Sequence, residues 1–82
     1  MAYDLLYKAS VKKDLGRLSK AEARRVLNRI EHALTKKPNA RPMLKGEYAG
    51  LRKLRIGEYR VIFAILDQDV LILRIGHRKD VY

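Results

Sequence analysis

The chain has 82 residues, 48% of them apolar, and no cysteine, which suits one domain spanning 1–82 and excludes both a disulfide framework and a Cys-based zinc site. Nineteen Lys and Arg against nine Asp and Glu give a formal net charge of +10, spread over both halves of the sequence, so the whole domain presents a field that favours polyanions. The longest apolar run, Val61 to Leu66, is too short for a membrane span or a signal peptide, and the expected location is the cytoplasm.

The first seven residues alternate Tyr3, Leu5 and Tyr7 against Leu6 and predict a short strand. Ser10 is placed to cap a first helix in which Val11, Leu15 and Leu18 share a face, and Gly16 predicts a break before Leu18. Ser19 and Glu22 form a capping box at the start of a second helix. Its apolar stripe is Ala23, Val26, Leu27, Ile30, Ala33 and Leu34, and Pro38 stops it. After a connection containing two prolines the period changes to that of strands. Leu51 to Ile56, Tyr59 to Leu66 and Val70 to Ile75 are three extended runs, separated by Gly57-Glu58 and by Asp67-Gln68-Asp69. The expected fold is α+β, β-α-α-β-β-β: an antiparallel sheet with two N-terminal helices packed on one face.

A two-residue turn at Gly57-Glu58 pairs Arg55 with Arg60 and Leu54 with Val61. Leu54, Ile56, Tyr59, Val61 and Phe63 then face the helices, and Lys53, Arg55 and Arg60 share the opposite face. Like charges directly across a sheet destabilise it, so three clustered cations point to an anion, and phosphate oxygens match the guanidinium fork. The apolar pattern of the last run favours a three-residue loop, Asp67 to Asp69, which sets Arg60 opposite Gly76 and Leu71, Leu73 and Ile75 in the core. A two-residue loop, Gln68-Asp69, would set Arg60 opposite His77 instead. At the end of this run His77 supplies a group able to transfer protons near neutral pH, with Arg78 beside it. His32 and His77 have no acidic neighbours at ligand spacing, so no metal or other cofactor is expected. Gly-rich phosphate loops and nucleophile signatures are absent from the sequence.

The stretch Leu51-Arg-Lys-Leu-Arg-Ile-Gly-Glu-Tyr-Arg-Val-Ile-Phe63, together with Ile75-Gly-His-Arg-Lys-Asp-Val-Tyr82, resembles the RelE family of toxins within the RelE/ParE superfamily. The resemblance covers essentially the whole chain. It implies a microbial-ribonuclease-like fold and a metal-independent endoribonuclease that cuts mRNA in the ribosomal A site. It further implies an acidic antitoxin that silences the toxin in a hetero-oligomeric complex. Carried onto this sequence, the site comprises Lys53, Arg55, Arg60, Arg78 and Tyr82, with His77 where other members place Lys. Arg60 and Arg78 are expected on the scissile phosphate, and Lys53 and Arg55 on neighbouring phosphates or in proton transfer. His77 and Tyr82 are the candidates for acid and base, Tyr82 also for stacking on a base. Three other readings compete: a gyrase inhibitor of the sister ParE type, a basic domain that binds nucleic acid without cutting it, and a degenerate toxin that retains only antitoxin binding.

Overall fold

The computed structural model describes residues 3–44 and 49–77. Strand β1 (Asp4–Tyr7) leads into helices α1 (Ala9–Gly16) and α2 (Lys20–Leu34). A single 3-10 turn (Pro38–Ala40) follows, and then strands β2 (Arg52–Ile56), β3 (Tyr59–Leu66) and β4 (Asp69–His77). The four strands form one sheet in the order β1-β4-β3-β2. The last three make the expected antiparallel meander, while β1 runs parallel to β4 and makes the sheet mixed. This parallel pairing joins residues as distant as Asp4 and Asp69, and the intervening helices supply the crossover such a pair requires.

Local chemistry accounts for the helix ends. The Ser19 hydroxyl accepts the Glu22 N–H at 3.1 Å and donates to the Glu22 carboxylate, so the capping box starts α2 as its sequence predicts. Helix α1 ends at Gly16. Its N-cap is Lys8, without a side-chain cap bond, and Ser10 instead donates to the Leu73 carbonyl at 3.0 Å. Ser10 is therefore a link to the sheet rather than a cap.

The main core lies between the helices and one face of the sheet. Val11, Val26, Ile30 and Leu34 pack with Leu54, Ile56, Val61, Phe63, Val70, Ile72 and Ile75, all buried. Burying each of these aliphatic or aromatic side chains contributes about 1.5–3 kcal/mol. A smaller cluster on the opposite face joins Leu44 and Ile62, with Leu51 and Leu73 packed against them. The segment before β2 closes over that cluster: Met43 bridges to Arg52, and Arg52 donates to the Asn39 and Arg41 carbonyls.

The β2–β3 hairpin has the predicted register, with Arg55 opposite Arg60 and Leu54 opposite Val61. Gly57 has φ 59° at the first loop position, where a side chain would be strained, and among the described residues Glu58 does not share that sign. This is the pattern of a type II′ turn. The β3–β4 connection departs from both loops considered for it. Leu66 pairs with Asp69, leaving only Asp67-Gln68 in the turn, and Asp67 takes φ 60°, which Asp tolerates better than most residues. Arg60 still faces Gly76, because the register shifts between Ile62 and Phe63: Phe63 pairs with Ile72, Ile62 with Arg74, and Leu73 is the extra residue of a β-bulge. The bulge corrects the core assignment. Val70, Ile72 and Ile75 enter the main core, whereas Leu73 joins the smaller cluster and Leu71 is half-buried. No described helix is long and apolar enough to cross a membrane.

Candidate functional site

The cationic face is built on the β2–β3 hairpin. Lys53 and Arg60 are half-buried and Arg55 is exposed. The alternation that sends Leu54, Tyr59 and Val61 toward the helices sends these three to the other side, with Arg55 directly across from Arg60. Arg55 Nε points back to the Gly57 carbonyl at 3.4 Å, a long contact. On the other flank of Arg60 stands Gly76, which contributes no side chain. The result is a basic surface on the β2–β3 hairpin, bounded on one side by the cluster of Leu44, Leu51, Ile62 and Leu73.

His77 belongs elsewhere. It pairs with Tyr59, and the two rings meet edge to face with centroids 5.9 Å apart. Because Tyr59 packs on the main core, His77 lies on the helix side of the sheet, and Arg60, one residue along β3, lies on the other. The sheet thus brings Lys53, Arg55 and Arg60 together and separates His77 from them. Arg78 and Tyr82 lie outside the described residues.

Around His77 is a small pocket of about 170 Å³, lined by Asp14, Arg17, Leu18, Tyr59, Arg74 and His77 among others. Several of its polar groups are held in place. The Tyr59 hydroxyl donates to the Glu22 carboxylate at 2.7 Å. That bond lowers the Glu22 pKa, helped by Ser19, and raises the Tyr59 pKa. Asp14 is buried, accepts two bonds from the Arg74 guanidinium at 3.0 and 3.3 Å, and accepts the Ile75 N–H at 2.9 Å. Sequence reasoning placed Tyr59 only in the core and Glu22 only in a cap, and it passed over Asp14. The signal for Asp14 was present: it stands between Val11 and Leu15 on the apolar stripe of α1, where a carboxylate needs a partner. The described residues contain no group of three His, Cys, Asp or Glu that could hold a metal ion.

Residues 5–82 match the family model of the ParE toxin of type II toxin-antitoxin systems, parDE. The chain belongs to this family. It is a toxin of the RelE/ParE superfamily, and its fold agrees. It is similar to the toxin-antitoxin complex RelBE2 from Mycobacterium tuberculosis, with 29% identity, a TM-score of 0.89, and coverage of 98% of this chain and 95% of the other. Similarity to the archaeal RelE-RelB complex from Pyrococcus horikoshii is also 29% identity, with a TM-score of 0.69 over 99% and 100% of the two chains. The chromosomal ParDE system from P. aeruginosa shares the fold at 17% identity, with a TM-score of 0.72 over 93% of this chain and 96% of that one. No curated protein sequence matches the toxin.

Proposed function

We propose that the toxin is a ribosome-dependent, metal-independent endoribonuclease that cuts mRNA in the A site and arrests translation. The observation that carries this reading is the clustering of Lys53, Arg55 and Arg60 on the sheet face away from the helices, with Arg55 and Arg60 directly opposed. Two guanidinium groups set opposite each other on one hairpin offer paired donors that match the oxygens of a phosphate backbone. RNA supplies its own nucleophile, the 2′-hydroxyl, so the protein need only align the attack, move protons and stabilise the phosphorane. In this mechanism Arg60 and Arg78 bind the scissile phosphate, Lys53 and Arg55 hold its neighbours or assist proton transfer, and Tyr82 stacks on a base or serves as acid or base. His77, turned to the helix side beside Tyr59, acts on the substrate only from the edge of the strand.

The partner proposed for silencing is an acidic antitoxin. An apolar groove of about 420 Å³ formed by Tyr7, Val11, Leu15 and Leu27 and rimmed by Lys8 and Lys12 suits an amphipathic segment with acidic flanks. A second reading, inhibition of DNA gyrase, is favoured by the ParE identity of the matching family model. Primer-extension mapping of mRNA after a pulse of expression tests the first reading. Cuts at codon-defined positions that vanish without ribosomes support it. Intact mRNA together with loss of DNA supercoiling activity replaces it with the second.

A further inference from the structure

Strand β1 ends at Tyr7, level with Ile72, so β4 runs on for five further residues with no strand beside that edge among the described residues. The first turns of chain after β1 take over the pairing one group at a time. The Lys8 N–H donates to the Ile72 carbonyl at 2.9 Å, and the Ser10 hydroxyl donates to the Leu73 carbonyl at 3.0 Å. The Asp14 carboxylate accepts the Ile75 N–H at 2.9 Å. Helix α1 thus serves as a substitute strand, and Asp14 is its most distal rung.

Asp14 does more than satisfy an amide. It bonds the two residues that follow the bulge, where Leu73 has no register partner on β3 and the ladder is locally disrupted. Its second oxygen, with the first, grips Arg74 at 3.3 and 3.0 Å, drawing that guanidinium to the edge of the sheet. After Arg74 and Ile75 come Gly76, beside Arg60, and His77, beside Tyr59. We propose that Asp14 is a positioning residue: by clasping Arg74 and the Ile75 amide it holds the last turn of β4 against β3 and keeps Gly76 and His77 in register with the cationic hairpin. Because Gly76 is the partner of Arg60, the clasp also governs cleavage; that consequence rests on the endoribonuclease reading.

The decisive variant is Asp14→Leu with Arg74→Met. Only the Asp14 end of this ion pair is buried and the Arg74 side chain is about half exposed, so an apolar pair leaves the core packing in place yet cannot accept the Ile75 N–H. The toxin, bound to its antitoxin for production and then freed, is studied by NMR. The double variant is expected to melt cooperatively and to keep contacts between Phe63 and Ile72 and between Leu5 and Val70. It is expected to lose exchange protection at the Ile75 amide and the ring contact between Tyr59 and His77. Asp14→Asn, whose amide oxygen still accepts the Ile75 N–H, is expected to retain both, and to retain more mRNA cleavage than the double variant. Persistence of Ile75 protection and the Tyr59–His77 contact in the double variant overturns the proposal. So does global unfolding of the double variant, which would make Asp14 a strut of the whole domain. The NMR outcome does not depend on catalysis, so a wild-type toxin that fails to cut mRNA refutes the endoribonuclease reading while leaving the clasp standing.

Discussion

Arg60→Ala separates chemistry from packing. Arg60 is half-buried on the open face and faces Arg55 across the hairpin, outside both apolar clusters. Removing it relieves a like-charge cross-strand pair and loses the side chain's own contacts, terms of roughly 0.2–1 kcal/mol each with opposite sign. The net change in stability is expected within about 0.5 kcal/mol, or roughly 2–4 °C in Tm for a domain of this size. Ile30→Ala is the contrasting control, because Ile30 is wholly buried and its truncation costs about 2–5 kcal/mol. If Arg60 stabilises charge on the phosphorane, its loss lowers the cleavage rate by about 10²–10³-fold. Affinity for a single-stranded RNA, followed by fluorescence anisotropy across a salt series, should show a slope reduced by about 0.7 for one lost phosphate contact. Thermal melting gives the stability and ribosome-dependent cleavage the rate. A variant that melts as low as Ile30→Ala would make Arg60 structural, and one that stays folded and cuts at the full rate would refute its assignment to phosphate.

Ser19→Ala removes the hydroxyl that accepts the Glu22 N–H and is expected to cost about 1 kcal/mol, seen as a fall of roughly 4–8 °C in Tm. Gly57→Ala puts a side chain at φ 59° and sets its Cβ 3.2 Å from Arg25 Nη2, so denaturant melting should show a loss of about 1–2 kcal/mol. The Tyr59–Glu22 bond predicts a pH dependence at both ends of the scale. Glu22 is depressed by Tyr59 and Ser19, so its contribution is present above the ordinary carboxylate pKa and is lost as pH falls through the lowered value. Tyr59 is raised by Glu22, so its contribution is present below the ordinary phenol pKa and is lost as pH rises through the raised value. Tyr59→Phe should flatten both limbs of a Tm-against-pH curve, and an unchanged curve would show that the bond adds nothing.

Much of the fold was legible because local signals agreed. Ser19 and Glu22 announce α2, Gly57-Glu58 fixes a hairpin register, and the alternation through Leu54, Ile56, Tyr59 and Val61 assigns two faces without ambiguity. The β3–β4 register was harder to read, since Val70 to Leu73 is apolar at every position and alternation carries no information there. A bulge at Leu73 achieves the Arg60–Gly76 pairing that a longer loop was expected to give. The separation of His77 from the cationic face follows from the same pairing, because Tyr59 and His77 are partners and Tyr59 is on the helix side. The parallel partner of β1 was invisible for a different reason: no short-range pattern encodes which distant strand an edge strand will join. The Asp14 clasp depends on that same docking, so it emerges only in three dimensions.

The pairing of β1 with β4 also orders events in time. Asp4 and Asp69 are neighbours in the sheet but far apart along the chain, and closing a loop of that length costs roughly 4 kcal/mol in chain entropy. Both helices and the β2–β3 hairpin are made of local contacts and can form early, whereas β4 is the last described strand to leave the ribosome. Until it emerges, β1 has no partner and α1 has no edge to complete. The sheet of the toxin is thus completed only once β4 is available, and its folding rate should respond most to mutations at the β1–β4 seam.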